Sequence, residues 1–480
     1  MASTYYVCLL LSVLFLLPSC ADLSTKHEKP AIKMPATWSS RDNKTKITSI
    51  KMNQVAWWKT FHDPQLNQLI SDALVHNNDL SMAAGNIMQA RASIQKIQAG
   101  WLPVLGLGGT AFKGEISDFS FQAPGVPFPI RNQDHSVHFD GYTAGFVPAY
   151  TLNIMQQLKL GKVAQYNLAM QEASINAVRL GVISQVAGSY FSLLGLQKQL
   201  SLQEQWVNDA KALRKYTQIQ FQSGAVSQEN LAVVDQLIAS LQKKIPTLHY
   251  NITQVQNALN VLIDKNPGPL LTHNHFASIQ TKGIIPINLP SETLKSRPDV
   301  AIAECQLQLK HAMIGVAASQ LFPSINLTGL FGAASVDLGT LLRFGNGLGV
   351  GQLVGGIPLV NMEAFADIKK TKGERYTAYY NYVKTVRNAF AEVDNALSEH
   401  STINESYEQQ AVALKSARDQ YLIAKKQYRQ GVISYAATIM YKMNVDYMAA
   451  MLNESKMQHM ASIVNLYQVL GGGYIGPVVN

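Results

Sequence analysis

Residues 298–329 read "PDVAIAECQLQLKHAMIGVAASQLFPSINLTG", and the change of period inside them decides the fold. Up to Gln320 the apolar residues recur at helical spacing. At Phe322-Pro323 that spacing stops. Beyond it Ser324, Asn326 and Thr328 alternate with Ile325, Leu327 and Gly329, the two-residue period of a strand with one polar and one apolar face. The same break occurs in "IQKIQAGWLPVLGLGGTAF" (94–112), where Pro103 separates a helical run from an apolar, glycine-rich strand. The chain is mainly helical, with a few strands set off by prolines.

The two breaks belong to an internal repeat. At an offset of 220 residues Asp79 falls on Asp299, Ala83 on Ala303, Ala92 on Ala312, Ile94 on Ile314 and Pro103 on Pro323. Further on, "YTQIQFQSGAVS" (216–227) matches "IAKKQYRQGVIS" (423–434) at an offset of 207. The shorter offset follows from the loops, since 113–136 in the first copy is replaced by the shorter 336–347 in the second. The expected copies are 65–262 and 291–470, with segments 1–19, 20–64, 263–290 and 471–480 around them.

Each copy reads helix, strand, loop, strand, long helix, turn, helix. The second strands, 136–147 and 348–357, are expected to end at Pro148 and Pro358, because proline cannot donate to a ladder. With Pro103 and Pro323, these prolines mark four expected helix–strand joints. No proline interrupts 162–223 or 361–430, which predicts helices of roughly 90 and 105 Å at 1.5 Å per residue. Gly224 and Gly431 sit where a helix C-cap needs positive φ, and Ser227 and Ser434 where the next helix needs an N-cap. Ser296 and Asp299, three residues apart around Arg297-Pro298, have the pattern of a capped helix start.

Composition narrows the function. Charged residues make up 15% of the chain, against roughly 25% in soluble proteins, so some surface faces protein or lipid. The net charge of +9 is not gathered into the aromatic-interleaved basic stretch of a nucleic-acid groove, which argues against a nucleic-acid partner. There is no phosphate-binding glycine loop, nucleophile elbow, His-Glu-x-x-His helix or paired-carboxylate site, so no enzyme and no cofactor is expected. His273 and His275 have no neighbouring Cys or acidic residue, so no metal site is expected either.

The N-terminus sets the compartment. Residues 5–17 form an apolar run of signal-peptide length, ending at Leu17-Pro18-Ser19-Cys20. This resembles a bacterial lipoprotein signal, which implies loss of 1–19 and acylation of Cys20. The uncharged residues 1–7 and Pro18 depart from that pattern, and ordinary secretion with nearby cleavage is the other reading. Ala21 follows the Cys, so the Asp that retains such lipoproteins in the inner membrane is absent. Cys305 is then left without a disulfide partner and reads as a small packing residue.

Four strands of about ten residues are long enough to cross an outer membrane, but too few to close a barrel. An open sheet edge in lipid leaves N–H and C=O groups unpaired at several kcal/mol each. Either the strands lie outside the membrane, as a soluble cap on a helical stalk, or several chains share one barrel. Two chains would give eight strands and three twelve; only the larger leaves an obvious lumen.

"WWKTFHDPQLNQLISDALVHNNDLSMAAGNIMQARA" (57–92), "LPSETLKSRPDVAIAECQLQLKHAMIGVAASQLFPSINLTGLFG" (289–332), "AFAEVDNAL" (389–397) and "LYQVLGGG" (466–473) resemble the outer-membrane efflux protein family. They are most similar to its lipoprotein branch, the TolC-like outer-membrane factors of multidrug efflux systems. The resemblance covers nearly the whole mature chain. It implies a homotrimer with a shared twelve-stranded barrel and a long α-helical periplasmic tunnel, anchored in outer-membrane lipid. The implied partners are a periplasmic adaptor and an inner-membrane pump, RND type foremost, and the implied activity is passive conduction. A non-conducting, lipid-anchored stalk or adhesin is the alternative.

Two departures from the family stand out. Many relatives carry carboxylates just after the Gly-Val of the second helical turn; here Ile433 and Met440 stand at those positions, so an acidic ring does not carry over. Two readings fit. Either packed Ile433 and Tyr435 close the periplasmic end, or they only pack the turn. The second departure is "IPLVNMEAF" (357–365), which keeps the proline of the strand-to-helix joint but not its glycines.

Overall fold

The computed structural model describes residues 55–116, 119–121, 130–132, 137–279, 295–343, 345, 347–356, 358 and 360–474. The signal and lipid-attachment reading of 1–20, with Cys20, lies outside the described residues.

After a 3-10 turn at Trp57–Phe61 the first copy runs α1 (Pro64–His76), α2 (Asn78–Ala99) and β1 (Val104–Ile116). A short hairpin, β2 (Phe119–Phe121) and β3 (Ile130–Asn132), then leads to β4 (Val137–Leu152), α3 (Ile154–Gln222), α4 (Gln228–Gln242) and α5 (Lys244–Leu262). The second copy runs α6 (Pro298–Ala318), β5 (Ser324–Ser335), β6 (Gly347–Gly356), α7 (Met362–Arg429) and α8 (Tyr435–Val469). The four long strands form one antiparallel sheet of order β1-β4-β5-β6.

Two compact units result. One holds the sheet and the helix ends flanking it, on Gln89–Asn167 and Leu307–Ala378. The other is helical and includes Leu168–Gln306. Its main core begins with the "WWKTF" turn. Trp57 is fully buried and stacks on Tyr467 at 4.7 Å, and Phe61 meets Phe191 edge-on at 4.8 Å. Asp63 caps α1 through the N–H groups of Gln65 and Leu66, and its other oxygen accepts the Tyr190 hydroxyl at 2.8 Å.

The two long helices have 69 and 68 residues, about 100 Å each. The first starts well before residue 162, because Asn153 caps it, its side chain accepting from Gln156 N at 3.0 Å. Asn361 does the same for α7 through Ala364 N, also at 3.0 Å. So the glycine-free joint at 357–365 is made with an asparagine cap.

The repeat extends to individual hydrogen bonds. Asn77 breaks the helix between α1 and α2, and its Nδ2 donates to the Leu262 carbonyl at 3.0 Å. Arg297, at the matching position, donates from Nη1 to the matching carbonyl, Val469, at 2.9 Å. Past those carbonyls the chain turns left-handed in both copies, at Asp264 (φ 56°) and Gly471 (φ 72°).

Three expectations are corrected. Pro148 does not end its strand: β4 continues to Leu152, and Pro148 lies inside it opposite Leu105. The β4–β5 ladder keeps its register but skips Val147 and Pro148, so the missing N–H falls in that gap, across from Gly329. Ser296 is not the residue next to the helix that starts at Pro298; Arg297 is, and Ser296 itself lies in a helical turn. The Asp299 carboxylate accepts from Val300 N and pairs with Arg297, which also reaches Glu392. Ser227 holds the cap position of α4 without a capping bond, its hydroxyl donating to Asn230 Oδ1 at 3.1 Å.

Candidate functional site

The sheet is the first candidate. Residues directly opposite one another share a face, so the register sorts the side chains. Leu107, Phe146 and Phe331 stand in line across three strands, and Tyr150, Leu327 and Leu353 form a second row on that face. The opposite face is mixed: Thr110 against Thr143, hydroxyl to hydroxyl at 2.6 Å, Thr151 against Asn326 and Thr328 against Gln352 share it with Phe112, Val350 and Val354. Leu107 is 81% exposed and Leu353 70%, with Phe146 and Phe331 more than half exposed. A greasy face without cover is unusual for a water-facing sheet and ordinary for one that faces lipid. Among the described residues β1 and β6 each pair with one neighbour only, so both edges are open. Pro103 and Pro323 stand immediately before β1 and β5, and Pro358 stands two residues after β6.

The second candidate is the pair of helix turns. Gly224 and Gly431 have φ of 76° and 75° and close matching caps. In one, Gly224 N donates to the Phe221 carbonyl and Ala225 N to that of Gln220; in the other, Gly431 N donates to Tyr428 and Val432 N to Gln427. That double closure is the Schellman arrangement, which satisfies the last carbonyls of a helix. Ser434 caps α8, accepting from Ala437 N at 3.1 Å.

Beside the turns, Tyr435 packs edge-on to Tyr216 (5.3 Å) and against Tyr428 (5.5 Å), a cluster that ties α3, α7 and α8 together. Ile433 is half-buried next to it. Asp235 is taken up by Arg214. Deeper along the same helices lies a charge cluster that sequence reasoning did not find. Lys442 pairs with Asp209, and Gln205 Nε2 donates to Asp446 at 3.2 Å. Burial first, then the hydrogen bond and charge of Asp209, push the Asp446 carboxyl up to about 7 against the pull of Lys442.

A third group ties the helical unit to its connecting segment. Lys456, buried on α8, donates from Nζ to the carbonyls of Phe276 (2.7 Å), Ala277 (3.2 Å) and Ile279 (3.0 Å). No spacing rule marks such a lysine, because its partners lie some 180 residues away in the chain.

A sheet with one lipid-compatible face and two open edges, joined in sequence to helices of about 100 Å, defines a class: the protomer of an outer-membrane channel whose barrel is completed by other copies. The model of the outer membrane efflux protein family matches residues 69–264 and 289–472, and the chain belongs to that family. It is similar to the toluene efflux pump outer membrane protein TtgC of Pseudomonas putida (26% identical, 96% of this chain and 94% of that one). It is also similar to the probable outer membrane lipoprotein SilC of Salmonella typhimurium (25% identical, 97% and 98%). Among solved structures the CmeC outer membrane channel of Campylobacter jejuni aligns with a TM-score of 0.78 at 24% identity, over 94% of this chain and 95% of that one. These likenesses place the chain among TolC-like outer-membrane efflux channels, which are not enzymes, and leave the stalk or adhesin alternative without support.

Proposed function

We propose that three copies of this chain join their sheets into one twelve-stranded barrel, continued by their helices as a periplasmic tunnel. The assembly is the exit duct of a tripartite efflux system. A periplasmic adaptor and an inner-membrane pump, of RND type, deliver substrate to it, and the duct conducts passively. The observation that carries this reading is the sheet itself: two open edges beside an exposed apolar face that includes Leu107, Phe146 and Phe331. Open edges in hydrocarbon are too costly to persist, and pairing β6 of one copy with β1 of the next removes all of them at once.

Acylation of Cys20 would hold the N-terminus at the membrane; the name of SilC, an outer membrane lipoprotein, supports it. Small organic solutes are the proposed cargo, in keeping with the toluene efflux pump to which TtgC belongs. Closure at the helix turns rests on Tyr435 and Ile433, since Ile433 and Met440 leave the second turn without the carboxylates of an acidic ring.

Planar-bilayer recording of the detergent-extracted protein, beside gel migration with and without heating, tests the reading. The expected result is discrete conductance steps and a heat-sensitive oligomer band. Monomer-like migration without conductance would contradict it.

A further inference from the structure

The charge of the sheet-bearing unit is unevenly placed. The helix ends that adjoin the sheet (89–101, 154–167, 307–321 and 362–378) carry nine Lys and Arg against three acidic residues. The strands and their loops (102–153 and 322–361) carry three against five. Local pairing engages two of the three acids: Glu374 accepts Lys310 at 2.8 Å, and Asp367 accepts Gln320 Nε2 at 3.3 Å. Arg91, Lys96, Lys162, Lys369 and Lys372 are exposed and have no carboxylate partner among the described residues. All lie within about 15 Å of a helix end, counting 1.5 Å per residue.

The level of the membrane surface can be read from the aromatic residues at the joint. Trp101 is exposed, and the Tyr150 hydroxyl donates to its carbonyl at 3.2 Å. Trp and Tyr favour the headgroup level of a bilayer. On the strand side of this pair come Leu105 and Leu107, exposed and apolar; on the helix side come the lysines. Greasy strand, aromatic edge and unpaired cations therefore follow in that order along the chain. Long lysine and arginine arms can lay their stems on the protein and reach headgroups with their charged ends.

We propose that these helix ends form a basic collar that holds anionic phospholipid headgroups in the periplasmic leaflet of the outer membrane. The proposal rests on the reading that the sheet lies in that membrane. Each cation near an anionic lipid surface is worth about a five-fold preference.

The test uses the full-length protein reconstituted in vesicles of equal parts dioleoyl-phosphatidylglycerol and dioleoyl-phosphatidylcholine, re-extracted and weighed with its bound lipid by native mass spectrometry. The phosphatidylglycerol should be enriched. Changing Lys96, Lys369 and Lys372 together to Gln should lower the enrichment by roughly five-fold per charge removed, while the same three changed to Arg should keep it. Replacing Lys425 and Lys426, near the helix turns, with Gln should leave it unchanged. Three results would overturn the collar: equal amounts of the two lipids on the wild type, enrichment that survives the triple Gln change, or a Gln variant whose only defect is altered ion selectivity, which places the charges in the lumen. Conductance of the same vesicles separates the two readings. A conducting channel without lipid preference removes the collar alone, and a protein that neither inserts nor conducts removes both.

Discussion

Burial and the neighbouring Asp209 carboxylate push the Asp446 carboxyl well above the ordinary aspartate range. Asp209, Lys442 and Gln205 face it from α3 and α8, and Tyr421 on α7 adds to the field at Lys442. An unfolded chain gives up this proton near 3.8 and the folded one near 7, so raising pH through that window charges a buried group and lowers stability. His400 acts in the opposite sense: burial holds its imidazole down to about 4 from 6.5, and stability is lost as pH falls between those values. Comparing wild type with Asp446→Asn isolates the aspartate. The wild type should lose thermal stability relative to the variant between pH 4 and pH 7, by about 2–4 °C, the size of an effect of about 2–4 kcal/mol in a chain of 480 residues. A constant difference across that range would show that Asp446 is an ordinary carboxylate. Tyr435 offers a second test at this scale. Replacing it with Ala removes its ring from both tyrosine neighbours, and bilayer recordings should show open-channel current raised several-fold with stability little changed. Neither cluster is legible in the sequence. Tyr216 meets Tyr435, and Asp209 meets Lys442, only because α3 and α8, far apart in the chain, lie side by side, and local spacing carries no trace of that.

At the scale of elements the sequence was more informative, because helix ends and strand faces are set by neighbours in the chain. The polar and apolar alternation of 324–328 names the two faces of β5 correctly, and the glycines of the turns mark the two matching caps. The misreadings have local causes too. Pro148 looks like a strand end because its missing N–H normally forbids a central position; here the ladder skips that pair without changing register. The asparagine caps at 153 and 361 follow ordinary cap chemistry, and an Asn one residue before each long helix is the signal that would have revealed them. The caps also order a set of substitutions. Gly224→Ala and Gly431→Ala place a side chain in open space at positive φ, so each should cost about 1–2 kcal/mol and the two should match. Gly471→Ala adds a collision with the Ser296 carbonyl and should cost clearly more. Thermal denaturation of the three variants checks the order, and equal losses at all three positions would contradict it.

For the whole molecule one geometric demand dominates. Four strands leave an open edge at β1 and another at β6, and nothing among the described residues covers either. The sequence exposed this demand through strand count alone, since four segments of strand length cannot close on themselves. It did not name the pairing order, because β4 lies next to β5 across more than 170 residues of intervening helix and linker. The most direct test is cross-linking of the two edges. Leu107→Cys on β1 is combined with single cysteines placed along β6, from Leu348 to Leu353, in a chain whose Cys305 is replaced by Ser, and the protein is oxidised in its native membrane. A shared barrel requires disulfides between chains at one register, giving a ladder on denaturing gels that stops at three chains. Oxidation that leaves only single chains, with free thiols at every β6 position, would contradict the shared barrel.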